Sequence, residues 1–385
     1  MVTKNFVDRK HELELLEKRY KSKKFEFIPI YGKRRVGKTE LILQFIKNKD
    51  AIYFLATSGS KKENITKFKE AAAPVIDLSL VKDDWESIFE YITQKVKKRL
   101  IIVIDEFPYL IETEPGLSSI FQRIIDKILS KTNIFLILCG SSLSMMYKEV
   151  LTYKAPLYGR RTGQIHLQPL KFKDVVEFFP KKNLEEVIKI YSICGGMPAY
   201  LNEFRENKDL FQLIKEKILQ KDAILREEPI FLLRMEFREP KTYFSILSAI
   251  SLGYRSLGKI INYCGFSNKA GIMPYLYNLE YLEYIKREVP VTETERSKKG
   301  LYFIKDVFFD FWFKFIRPNL TLLEQNEEYV LEKIKQEFNN HVSFIFEDVC
   351  KEFLIETKIF PFTKIGKWWH KDKEIDIVAL NEQAK

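Results

Sequence analysis

The segment Gly32-Lys33-Arg34-Arg35-Val36-Gly37-Lys38-Thr39 constrains this chain more than any other. It satisfies G-x-x-x-x-G-K-[ST] at each fixed position and stands between an apolar run at 25–31 and a helix-like stretch at 40–49. The spacing has a physical reason. The glycines let the backbone curl until its N–H groups converge on phosphate oxygens, and the following helix directs its positive end at the same anion. In that geometry Lys38 reaches the β- and γ-phosphates and the Thr39 hydroxyl ligates Mg²⁺.

The apolar run at 100–104 is the expected partner, a strand buried on both faces as in the middle of a parallel sheet. It releases Asp105 and Glu106 at its C-terminal end, where open α/β sheets bind ligands. Asp105 is placed to hold Mg²⁺ through water, and Glu106 to polarise the attacking water as a general base. Together the two motifs read as a P-loop NTPase with ATP and Mg²⁺ as cofactors. Ser141 and Ser142 follow a further buried strand at 133–139, within reach of the γ-phosphate or the water. Arg160 and Arg161 lie on a loop after Gly159, and either is a candidate to stabilise charge on the transferring phosphoryl group. A plain serine turn and a solvated basic pair remain the bland alternatives for these two dipeptides.

Strand runs at 25–31, 51–56, 100–104 and 133–139, with a weaker one at 164–167, alternate with amphipathic stretches. That pattern predicts an α/β class with a parallel sheet across residues 1–170. Over 171–240 the strand signal disappears and a helical lid is expected. Residues 241–305 read as three helices (243–250, 256–264, 269–282) and a two-stranded ribbon (284–290, 301–305), the outline of a winged helix-turn-helix. The remainder, 306–385, holds the aromatic run 308–315, helices at 324–338 and 346–355, and strands at 364–370 and 374–380.

Composition bounds the setting. The 385 residues are 46% hydrophobic, enough for real cores, and no apolar run approaches the roughly 20 residues of a membrane span. With a polar N-terminus, a soluble cytoplasmic protein is expected. Four scattered cysteines without C-x-x-C predict reduced thiols rather than a zinc site. The net charge of +11 divides into +10 over 1–240, +4 over 241–300 and −3 over the rest. A basic chain suits a polyanion, nucleotide or nucleic acid, although a Lys/Glu-rich surface of thermophile type gives the same total.

Phe6-Val7-Asp8-Arg9, Glu12-Leu13, the loop from Tyr31 to Thr39, Asp105-Glu106-Phe107 and Gly195-Gly196-Met197-Pro198 resemble the archaeal ATPase family, P-loop proteins related to the STAND and AAA+ groups. The resemblance covers roughly residues 1–240. It implies that the segment matching Val7, Arg9 and Glu12 lies beside the nucleotide base, and that Pro198 belongs to a helical lid. The tail resembles a restriction-endonuclease-like (PD-(D/E)xK) domain through Phe346-Glu347, Ile365–Trp369 and Glu374–Val378. That resemblance implies Mg²⁺ ligation by Glu347 and Asp376. The Glu-x-Lys strand of the pattern is absent, so the domain is expected to be partial and inactive as a nuclease.

Three functions compete. The first is an ATPase coupling its nucleotide state to a winged helix on duplex DNA, with Lys259, Lys269, Arg296, Lys298 and Lys299 as phosphate contacts. The second is an ATP-governed assembly switch, acting on a second copy of the chain or another protein. The third is an ATP-regulated nuclease in a longer chain.

Overall fold

The computed structural model describes residues 7–383 and divides into two compact units, 1–169 and 170–385. Phe6 and the last two residues lie outside the described residues.

The first unit is built on a five-stranded sheet: β1 (Glu26–Tyr31), β2 (Ala51–Leu55), β3 (Ile101–Asp105), β4 (Phe135–Gly140) and β5 (Ile165–His166). All pairs are parallel, in the order β2-β3-β4-β1-β5. β1, β3 and β4 are buried throughout, which explains their unbroken apolar sequences. Ile28 and Val103 both lie in register with Ile137, so β4 separates the P-loop strand from the strand carrying Asp105. Each connection between parallel strands needs a crossover, and helices supply it. Lys38–Ile46 follows β1, Lys61–Ala72 and Trp85–Lys95 follow β2, and Leu117–Ile124 precedes β4. The Trp85–Lys95 helix is capped by Asp84, whose carboxylate accepts from the Ser87 N–H. Phe54, Phe68, Trp85, Phe89, Phe107 and Phe121 form one aromatic cluster with centroid separations of 5.2–6.4 Å.

The second unit begins with short helices, among them Leu184–Cys194, Pro198–Glu203 and Glu228–Glu236. Three helices follow, Lys241–Ser251, Leu257–Cys264 and Lys269–Tyr281, and then an antiparallel ribbon of β6 (Ile285–Glu288) and β7 (Leu301–Ile304). Ser256 forms an isolated bridge with Leu301, which ties the second helix of the three to the ribbon. A closing hairpin pairs β8 (Lys364–His370) with β9 (Lys373–Leu380).

Two features differ from expectation. The helices expected at 324–338 and 346–355 are one 31-residue helix, Glu327–Thr357. No glycine or proline interrupts it, and the poorly helical Asn339 and Asn340 are carried by packing on either side. The aromatic run 308–315, expected within the tail, also packs against residues outside it. Phe308 meets Tyr200 at 4.7 Å, Phe309 meets Tyr284 at 5.0 Å and Phe313 meets Phe244 at 5.9 Å. Phe311 and Phe315 flank His341 on the long helix. The fully buried Trp312 donates its indole N–H to the Arg226 carbonyl at 2.7 Å.

Candidate functional site

The P-loop takes its shape from backbone positions that few residues tolerate. Gly32 approaches the neighbouring chain so closely that a Cβ would stand 2.4 Å from the Leu167 carbonyl oxygen. Gly37, at φ +94°, turns the chain into the helix Lys38–Ile46. Between them Val36 is buried while Arg35 is exposed. Lys38 is buried, and its ammonium donates to the carbonyls of Gly32 (3.0 Å) and Lys33 (2.9 Å), curling the loop around one cation. Burial lowers the Lys38 pKa, opposed by the negative groups Glu106 and Asp105 close by. Arg34 donates to the Tyr109 hydroxyl at 3.3 Å.

Arg9 supports the loop from outside. Its guanidinium is buried, donates to the Val36 carbonyl at 3.1 Å and pairs with Glu12 at 3.7 Å. Val7, two residues earlier, is partly buried.

Asp105 and Thr39 are 66 residues apart in sequence, yet the Thr39 hydroxyl donates to Asp105 Oδ2 at 2.8 Å. Asp105 Oδ1 accepts from the Glu106 N–H at 2.9 Å. A second hydroxyl, Tyr53 OH on β2, also donates to Oδ2 at 2.8 Å. Burial and the Asp105 carboxylate raise the Tyr53 pKa, so its hydroxyl stays protonated as the donor. Sequence reasoning missed Tyr53. The available signal was a lone polar aromatic alternating with the buried Ile52 and Phe54 on an edge strand. A hydroxyl and a carboxylate are hard oxygen groups of the kind that would hold Mg²⁺, directly or through water. This donor set fits Mg²⁺.

Glu106 is the residue under backbone strain. It has φ +55° and ψ 42° at the N-terminus of the helix Phe107–Thr113, a left-handed conformation costing ~1–2 kcal/mol for a residue with a Cβ. Its carboxylate Oε2 accepts from the Ser141 hydroxyl at 2.8 Å and from the Ser141 N–H at 3.3 Å. Ser141 reaches it because β4 lies directly beside β3. Its partner in the structure is therefore the glutamate side chain. Ser142 Oγ is 3.1 Å from Ser144 Oγ.

The two arginines after Gly159 are engaged elsewhere. Arg160 forms a bidentate pair with Asp126 (3.1 and 2.9 Å) and donates to the Pro156 carbonyl. Arg161 lies over the Tyr158 ring at 4.7 Å.

In the second unit, Pro198 is the first residue of its helix, where a missing N–H costs nothing. Glu347 accepts a hydrogen bond from Lys367, while Asp376 is exposed. Burial raises the Glu347 pKa, Lys367 opposes that, and Asp376 and Glu374 add to it. Lys367 lies on β8, in the strand expected at 364–370. Among the described residues, no three His, Cys, Asp or Glu side chains form a group that could hold a metal.

Within the three-helix module, Tyr275 packs against Tyr243 at 5.2 Å, whereas Tyr277 and Tyr281 stack on each other at 5.9 Å and face solvent. Lys259, Lys269, Arg296, Lys298 and Lys299 are exposed. Lys299 pairs with Glu293 at 2.6 Å. No helix among the described residues is long and apolar enough to cross a membrane.

Comparison with known proteins agrees with this geometry. Residues 6–204 match an ATPase domain found predominantly in Archaea, and residues 312–385 match a family of archaeal and bacterial proteins of unknown function. An uncharacterized protein of Methanocaldococcus jannaschii is 45% identical over 385 residues, covering 99% of this chain and 85% of that protein. An uncharacterized ATP-binding protein of the same organism is 54% identical over 44 residues, 11% of this chain and 75% of its own. Among solved structures, the Walker-type ATPase of Pyrococcus abyssi aligns with a TM-score of 0.64 at 22% identity, over 80% of this chain and 96% of that one. The ORC2 protein of Aeropyrum pernix aligns at 0.55 with 12% identity, over 84% and 97%. With a complete phosphate loop, an acidic strand end facing it and these matches, the chain belongs to the family of ATPase domains found predominantly in Archaea and is a P-loop ATPase.

Proposed function

We propose that this ATPase works with Mg²⁺ and couples its nucleotide state to the module at 241–305, which acts as a winged helix on duplex DNA. The observation that carries the catalytic half is the meeting of the Thr39 hydroxyl and the Asp105 carboxylate at 2.8 Å beside Lys38. The description of the A. pernix ORC2 structure as ADPNP and ADP complexes is consistent with adenine nucleotides in this fold.

The chain's own groups divide the work. The backbone N–H groups of 32–38 and the N-terminus of the following helix bind the phosphates. Lys38 exchanges its two carbonyl acceptors for phosphate oxygens and places its charge on the transferring group. Thr39 and Asp105 hold Mg²⁺, which when bound neutralises charge on the phosphate oxygens. Ser141 fixes one carboxylate oxygen of Glu106 and leaves the other free to take the proton from the attacking water. The strained backbone at Glu106 and its hold on Ser141 determine where that carboxylate points. Either arginine acts on the phosphoryl group only after rearrangement: Arg160 must leave Asp126, and Arg161 must leave the Tyr158 carbonyl and Gln164. Val7 and Arg9 serve the nucleotide base in this reading, as the family resemblance implies, and Arg9 also braces the loop through Val36. Pro198 belongs to the helical lid.

The DNA reading rests on exposed Lys259, Lys269, Arg296 and Lys298 and on the +4 charge of 241–300. One observation favours the assembly switch instead. The exposed face of Lys269–Tyr281 presents Ala270, Pro274, Tyr277 and Tyr281 with a single cation, Lys269. Fluorescence anisotropy on duplex DNA across a salt series separates the two readings. DNA binding gives a falling affinity whose slope flattens by about 1 for each phosphate-contacting lysine replaced. No binding at low salt, together with ATP-dependent self-association in sedimentation, assigns the module to protein docking.

A further inference from the structure

Asp105 is buried to 1% exposure, and several donors hold its carboxylate. Among them are the Glu106 N–H on Oδ1 (2.9 Å), the hydroxyls of Thr39 and Tyr53 on Oδ2 (both 2.8 Å) and the buried Cys139 thiol. The two hydroxyls differ in what they are free to do. Thr39 belongs to the phosphate loop, and a hydroxyl that turns its lone pair towards a cation also turns its proton and changes its bond to Asp105. Tyr53 stands on β2, in register with Val103 of β3, while Leu55 lies in register with Asp105 itself. Its hydroxyl reaches the carboxylate along its own strand pair, independently of the loop. Ile52 and Phe54, on either side, are buried and fix the strand that carries the ring.

We infer that Tyr53 is a positioning residue of the ATPase site: its hydroxyl holds Asp105 Oδ2 in the orientation that receives a divalent cation, and so sets the affinity for that cation. The inference rests on the reading of Thr39 and Asp105 as the Mg²⁺ site. Groups that orient a metal-binding carboxylate in this way change metal affinity by about 10–100-fold when removed. The ring of phenylalanine fills the same space, so Tyr53→Phe deletes the hydrogen bond alone.

The test uses the full chain with a non-hydrolysable ATP analogue and Mn²⁺ as the paramagnetic probe, titrated by electron paramagnetic resonance. Analogue affinity in EDTA and a thermal melt are recorded for each variant. The expected result for Tyr53→Phe is Mn²⁺ binding weakened about 10-fold, with analogue affinity in EDTA and melting unchanged. The Mg²⁺ concentration for half-maximal hydrolysis rises by the same factor, and the rate at saturating Mg²⁺ is retained. Wild-type Mn²⁺ affinity in Tyr53→Phe, with binding lost in Asp105→Ala, overturns the role of Tyr53 and leaves the metal reading standing. Equal loss of analogue affinity in EDTA also overturns it, because the hydroxyl then serves the loop rather than the cation. Undiminished Mn²⁺ binding in Asp105→Ala overturns the metal reading and the inference together.

Discussion

At Glu106 two requirements meet: the backbone is held left-handed, and the carboxylate is held by Ser141. A general base must point at one position and carry its charge there, and both restraints serve that end. Glu106→Gln keeps the shape and removes the basicity, so ATP affinity measured by calorimetry is expected to stay within a few-fold. Single-turnover hydrolysis is expected to slow by about 10²–10⁴. Hydrolysis as fast as in the parent would remove Glu106 from the role. Lys38 makes the contrasting case. Its burial lowers its pKa, and phosphate oxygens are the acceptors that best repay a desolvated ammonium. Lys38→Ala is therefore expected to weaken nucleotide binding sharply, and an unchanged dissociation constant would refute that assignment.

Among the elements, the segment Val307–Phe311, continued by Trp312–Ile316, has the widest consequences. Asp306 caps it by accepting from the Phe309 N–H at 3.2 Å. Six of its ten residues are aromatic, and their rings contact Tyr200, Phe244, Tyr284 and His341. Trp312→Ala removes a fully buried indole and leaves the Arg226 carbonyl without that donor. A loss of about 3–5 kcal/mol is expected, read as a lower urea midpoint. A change under 1 kcal/mol would mean that the element is peripheral. The aromatic run was plain in the sequence, but its assignment to the tail was not the whole of its role. Aromatic residues report that a segment is buried and carry no information about what buries it.

For the whole molecule, the buried His341 offers a readout of acid stability. Its Nε2–H donates to the Ser192 carbonyl (2.8 Å), and Asp310 stands 4.0 Å from Nδ1. Burial lowers the His341 pKa to about 4, while burial raises that of Asp310 to about 6. For His341 the folded value lies below the unfolded value of about 6.5. The unfolded chain therefore takes up the proton first, and stability falls as pH drops from about 6.5 to about 4. Asp310 acts with the opposite sign: its ionisation costs the folded state, and that cost grows as pH rises from about 3.8 to about 6. His341→Gln is expected to remove the acid-side loss, on the order of 3 kcal/mol, and to leave only the Asp310 slope in urea titrations between pH 4 and 6.5. Parallel profiles for the two proteins would contradict this account.

The phosphate loop, the acidic strand end and the strand–helix alternation were set by local sequence, because each depends on nearby residues: two glycines, a lysine and threonine, a short apolar run. The same holds for the three helices and ribbon of 241–305, whose caps and turns are local. Only tertiary structure decided that β4 lies between β1 and β3, and this order alone puts Ser141 on Glu106. It also decided that Tyr53 reaches Asp105 across 52 residues and that Lys367 of β8 meets Glu347 of the helix Glu327–Thr357. Strand order, and whether a helix continues through Asn339 and Asn340, are chosen by burial of whole faces. Spacing along the chain does not encode them.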